Sequence, residues 1–361
     1  MTHLVNSRHR SPHPYRSLPV PEWPTADQKA LEDACRPGIR LKPGGRASHF
    51  AQASIRDFIS RYGAYLGFLQ RSGRLNPKAE AAAQVTRSSV KAYVVELKAR
   101  VSSVTTWNCI YKLRRAAQLL DPKIEFSWLV EIEQELALVM VPKSKFDRLV
   151  LTQRIVEAGL TLIAEAEKYA KNDFVRAKGI RNGLMIVVLG LSQIRLKNFV
   201  ALEIGKTFKQ VNGHWWISVH AGSTKNKRWI EKRIPSSFND AIELYLNKAR
   251  PILMKSSADD QSLWVSSRTG RRFTYKNLGT LISKITLQTL GVDVSPHLFR
   301  TAAASTAAVK LPAFPHLASA LLGHTDPRIA DDHYKCTTSL AAGRIYATLV
   351  EEYLEVPQQR T

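Results

Sequence analysis

Four stretches between residues 45 and 140 share one pattern: "FAQASIRDFISRYGAYLGFLQ", "SSVKAYVVELKARV", "VTTWNCIYKLRRAAQLL" and "FSWLVEIEQELALVM" set apolar residues every third or fourth position. That spacing lines them up on one side of a helix, whereas a strand would need alternation. The segment therefore predicts a small helical domain over 45–140. "VPKSKFDRLV", 141–150, is polar, basic and contains Pro142, as a linker would. Two further helices follow in "TQRIVEAGLTLIAEAEKYA" and "VRAKGIRNGLMIVVLG", the second nearly apolar and so buried. Gly190 is expected to stop it, and Ser192 to cap a new helix beginning near Arg195.

The period then changes. "HWWISVH" and "RWIEKRIP" read as two strands joined through "AGSTKN", a hairpin whose loop carries Lys225 and Lys227. Helical spacing resumes in "SFNDAIELYLNKARPIL" and "TYKNLGTLISKITLQTLG". Ser295-Pro296 has the form of an N-cap followed by proline at the first helical position, a device repeated at Pro315 and Asp326-Pro327. At 361 residues the chain is long enough for two cores. The expected fold class is mainly α with a small β-hairpin or sheet, in two domains, 45–140 and 151–361. Residues 1–44, rich in Pro, Arg and Ser without sustained periodicity, are expected to form a flexible basic arm.

Charge narrows the partner. Lys plus Arg number 53 against 30 Asp plus Glu, a formal net charge of +23, while 44% of residues are hydrophobic. A folded chain this basic suits a polyanion, and nucleic acid before a ribosomal or membrane surface. Lys112, Arg114 and Arg115 lie beside an apolar stripe holding Trp107, Ile110, Leu113 and Leu120, so they form either a solvated face or one turned to DNA. Three widely spaced cysteines (Cys35, Cys109, Cys336) offer neither a disulfide framework nor a zinc pattern. No apolar run approaches a membrane span and the N-terminus lacks a signal-peptide segment, so the cytoplasm is expected, in association with the nucleoid.

"RLKNFVAL", a lysine in a β-hairpin, "PHLFR", "LLGHTD", and then "HY" ten residues beyond His324 occur in this order along the second half of the chain. Any one of them is common; together they resemble the tyrosine recombinase (phage integrase) family, and the phrasing is similar to integrases of bacterial mobile elements. The resemblance covers about residue 45 to the end, with 45–140 matching the family's core-binding domain and 151–361 its catalytic domain. It implies that the two domains clamp duplex DNA at sites with inverted repeats. It further implies a homo-oligomer on DNA, a tetrameric synapse, with accessory DNA-bending or directionality proteins as possible partners, and a C-terminal helix that packs in place or passes to a neighbouring subunit.

Each match can be set against what the chemistry requires. Strand exchange needs a protein nucleophile that holds the phosphoryl group covalently, the role that falls to Tyr334, with Tyr346 as the fallback. Paired guanidinium forks answer the charge on the non-bridging phosphate oxygens, and Arg195 and Arg300 fit them. The leaving 5′-oxygen needs a proton, which an ammonium in a hairpin loop can supply; Lys225 matches the family's lysine, with Lys227 its rival. His297 and His324 resemble the two positions where an imidazole donates to the phosphate or exchanges a proton with the tyrosine. His333 reads as packing. Two positions depart from the family: Asn198 stands where an acidic residue is frequent, and Thr301 where histidine often follows the second arginine. No cofactor and no metal are expected, because arginines, a lysine and histidines supply the charge that Mg²⁺ supplies elsewhere. The reading that competes from another class is a catalytically weak DNA-binding accessory protein that keeps the fold; a topoisomerase-like nicking and resealing enzyme is a third.

Overall fold

The computed structural model describes residues 15–142, 146–224, 227–254 and 261–310. Two compact units divide between Ser144 and Lys145, and each has its own hydrophobic core.

The first unit is helical: α1 (Thr25–Cys35), α2 (Gln52–Arg71), α3 (Arg87–Arg100), α4 (Ser103–Leu120) and α5 (Ser127–Leu138). Local chemistry sets their starts. Thr86 accepts from the backbone N–H of Ser89, whose hydroxyl in turn accepts from the Thr86 N–H, a capping box, and Ser102 accepts from the Thr105 N–H. Each such cap contributes about 1 kcal/mol. The apolar faces meet around Tyr62, Tyr65, Phe68 and Tyr93, whose rings pack edge-on or tilted at centroid distances of 5.1 to 6.4 Å.

Residues 15–44 depart from the expected flexible arm. Leu18, Trp23 and Leu31 are buried in this first core, at about 1.5–3 kcal/mol for each side chain removed from water. Gly63 makes the approach possible: the Leu18 N–H donates to the Gly63 carbonyl at 2.9 Å, and a Cβ on Gly63 would lie 2.4 Å from the Leu18 oxygen. Asp27, fully buried on α1, accepts from the Tyr62 hydroxyl at 3.0 Å and the Ala82 N–H at 2.8 Å. A segment whose composition resembles a solvated tail is thus tied down by a few apolar residues and one carboxylate.

In the second unit, α6 (Thr152–Tyr169) packs along α7 (Asp173–Ser192), which is buried almost continuously from Gly183 to Gly190. α7 does not stop at Gly190. It runs to Ser192, whose hydroxyl donates back to the Val188 carbonyl, and ends at Gln193 in the left-handed conformation, φ 50°. The Gln193 side-chain amide donates to the Gly190 and Leu191 carbonyls, the task a terminal glycine leaves to water. Arg195, not Ser192, then occupies the N-cap position of the short α8 (Leu196–Val200).

The sheet has three antiparallel strands in the order β1 (Phe208–Val211), β2 (His214–Val219) and β3 (Ile230–Arg233). β1 went unrecognised in the sequence although Asn212-Gly213, both at positive φ, is the turn that joins it to β2. Trp215, Ile217 and Val219 of β2 point into the core. α9 (Asn239–Leu244), a π-helical turn (Tyr245–Ala249) and α10 (Arg250–Met254) run on to the long α11 (Tyr275–Leu290) and to α12, which begins at Pro296 as its Ser-Pro pair predicts and extends to Lys310. Thr274 caps α11, and Gly291 at φ 71° ends it.

Candidate active site

Three elements of the second unit converge on one place. α12 carries Arg300, 8% exposed, wedged among the buried residues Leu298, Phe299 and Ala302. Its Nη1 donates to the carbonyl of Gln193, two residues before Arg195. That bond uses the same left-handed residue that ends α7, so the α7 terminus and the start of α8 are fixed against α12. Arg195 lies close enough for its charge to act on Arg300: burial first, and the Arg195 guanidinium second, draw Arg300 down to about 10. The two arginines named from the sequence are therefore brought together from distant parts of the chain.

His297 sits one helical turn before Arg300 on α12 and is exposed. Asn198, 6% exposed on α8, directs an amide nitrogen into the interior with no acceptor among the described residues. Lys225, His324 and Tyr334, together with His333 and Tyr346, lie outside the described residues. The segment that flanks Lys225 is held on both sides, since the Thr224 hydroxyl accepts from the Arg228 N–H at 3.0 Å and donates to its carbonyl at 2.8 Å. Lys227 is exposed there at φ 50°, and Trp229, 60% exposed, leans on the His220 ring at 4.5 Å.

A cation missed in the sequence joins the arginines. Lys232 of β3 pairs with Ile217 and is half-buried; burial, then the charge of Arg300, lowers its ammonium from the ordinary lysine range. Its inward face was legible, because alternation in "RWIEKRIP" puts Lys232 on the same side as Ile230 and Ile234; its nearness to Arg300 was not.

The first unit offers less than its charge suggested. Lys112 is paired with Asp57 at 2.6 Å, and Arg114 grips Glu133 with two bonds of 2.6 and 3.0 Å, leaving Arg115 as the exposed member of the three. Among the described residues no cluster of three His, Cys, Asp or Glu side chains could hold a metal ion, and no helix is long and apolar enough to cross a membrane.

No known family profile matches the sequence, and neither does any curated protein. Solved structures do. The XerH site-specific recombinase bound to a palindromic difH substrate, a post-cleavage complex, superposes with a TM-score of 0.54 over 80% of this chain and 78% of that one, at 14% identity. Its pre-cleavage complex with difH gives 0.52 over 78% and 76%, at 15% identity. The chain has the tyrosine recombinase fold. Within that fold, helices surrounding a small antiparallel sheet bring Arg195, Arg300 and Lys232 to one place in the second unit.

Proposed function

We propose that the chain is a site-specific DNA recombinase, an integrase-type enzyme that cleaves and rejoins strands through a 3′-phosphotyrosine formed by Tyr334. The observation that carries this reading is the bond from Arg300 on α12 to the Gln193 carbonyl, two residues before Arg195 at the start of α8, which brings the two arginines near enough for their charges to interact. Two guanidinium groups held together in a half-buried place suit a phosphodiester, whose non-bridging oxygens accept bidentate bonds and whose transition state gains charge there. Tyr334 attacks phosphorus, the P–O5′ bond breaks, and the departing oxygen takes a proton from Lys225, with Lys227 the alternative donor. His297 and His324 serve the phosphate and the tyrosine proton. Rejoining reverses the steps with the incoming 5′-hydroxyl as nucleophile, so bond energy is retained and no cofactor is consumed. The duplex carrying inverted repeats is the partner, and four protomers form the synapse.

A nicked suicide duplex tests this. The native protein is expected to be trapped on DNA through Tyr334, while Tyr334→Phe binds but traps nothing. EDTA leaves trapping intact, because the charge at phosphorus comes from side chains. Adduct mapped to Tyr346, or binding with no adduct under any condition, removes the assignment, and the second outcome leaves the accessory DNA-binding reading in its place.

A further inference from the structure

β3 is an edge strand, and its residues alternate between two faces. Glu231 and Arg233 pair with Ser218 and Trp216 on one face; Ile230 and Lys232 pair with the buried Val219 and Ile217 on the other. Lys232 is thus the charged residue in an inward row that ends at the fully buried Ile234. One use for an inward charge on an edge strand is to discourage pairing with another sheet. That use is indifferent to where along the edge the charge lies. Here the inward row of β3 shares its core with Leu298, Phe299 and Ala302 of α12, the helix that carries Arg300, and Lys232 is near enough to Arg300 for that charge, after burial, to lower its ammonium, as burial and then Arg195 lower Arg300. Cations from α8, β3 and α12 that share a half-buried place would all attract an anion brought among them.

We propose that Lys232 is a further phosphate-binding residue of the strand-cleavage site, its ammonium delivered from the inner face of β3 onto the same scissile phosphodiester that Arg195 and Arg300 grip. The proposal rests on the recombinase reading above. A compact ammonium complements two planar forks, since it occupies one direction around a non-bridging oxygen without needing a second.

Lys232→Met suits the apolar row and removes only the charge. At saturating DNA it is expected to slow covalent trapping by about tenfold or more, as loss of a charge-stabilising contact does, while the melting temperature holds or rises. On a substrate with a methylphosphonate at the scissile position, where an anionic oxygen has been replaced, that deficit shrinks to within about threefold. The slope of log affinity against log salt falls by about one. Lys232→Gln carries the same measurements should the Met variant fold poorly, and Arg233→Met, one residue along on the opposite face, keeps native cleavage. Native trapping with an unchanged salt slope overturns the proposal. So does an equal deficit on both substrates, or an equal deficit in Arg233→Met. If the native protein traps nothing on either substrate, the recombinase reading falls by itself and the salt slope decides Lys232: a drop of about one retains it as a phosphate ligand, and no change removes it.

Discussion

At the scale of single residues, Arg300 and Arg195 are the two cations on which the proposed phosphate site rests. Arg300 is buried, donates to the Gln193 carbonyl and is pressed by a second guanidinium. Lysine at either position would keep the charge and lose the planar fork. Arg195→Lys and Arg300→Lys are therefore expected to slow trapping on a nicked substrate by about tenfold or more with affinity hardly altered; gel shifts and trapping time courses separate the two quantities. Both variants cleaving at the native rate would misplace the site. These arginines were legible because "RLKN" and "PHLFR" carry them in a recognisable order. Lys232 was passed over since nothing in a linear sequence marks its proximity to Arg300, which depends on a strand register and a helix packing onto it. For Lys112 and Arg114 the sequence left a solvated face and a DNA-facing one open: their basic character was plain, but Asp57 and Glu133, their partners, come from other helices.

Among the elements, the segment before α1 departs furthest from expectation, and a glycine explains it. α2 can accept the chain at Leu18 because Gly63 presents no side chain; a methyl group there would stand 2.4 Å from the Leu18 oxygen and 2.5 Å from the Ser17 hydroxyl. Gly63→Ala is expected to destabilise the first unit by about 1–3 kcal/mol, the usual cost of overpacking, and to expose Arg16 to trypsin. Thermal melting and a timed digest check both effects. An unchanged digest would mean that Trp23 and Leu31 alone hold the segment. The same contrast holds at β1, where Asn212-Gly213 was a legible turn signal, yet a four-residue strand with one buried side chain gives too little alternation to be seen.

For the whole molecule, two separate cores divide the labour: the first is purely helical, and the second builds the candidate site from α8, α12 and the sheet. Strand exchange asks more than one protomer, and "SLAAGRIYATLVEEYLEVPQQRT", which lies outside the described residues, repeats apolar residues at Ala341, Ile345, Leu349 and Tyr353. Read as a helix, that spacing predicts one wide apolar face, which we expect to dock on a neighbouring subunit instead of its own domain. Truncation after Ser339 is expected to leave a folded protein that shifts a single half-site and forms no synaptic complex; outright unfolding in a melt would instead place the helix on its own domain, and continued recombination would show it dispensable. The sequence by itself determined the helical character of both units, the hairpin β2–β3, the basic charge and the order of the chemistry-bearing motifs, because each is a property of spacing or of composition. Only the tertiary structure decided that residues 18–35 belong to a core, that Gln193 rather than Gly190 ends α7, and that Lys232 joins the two arginines. Those outcomes depend on which surfaces meet, and no local pattern contains the identity of a residue's distant neighbour.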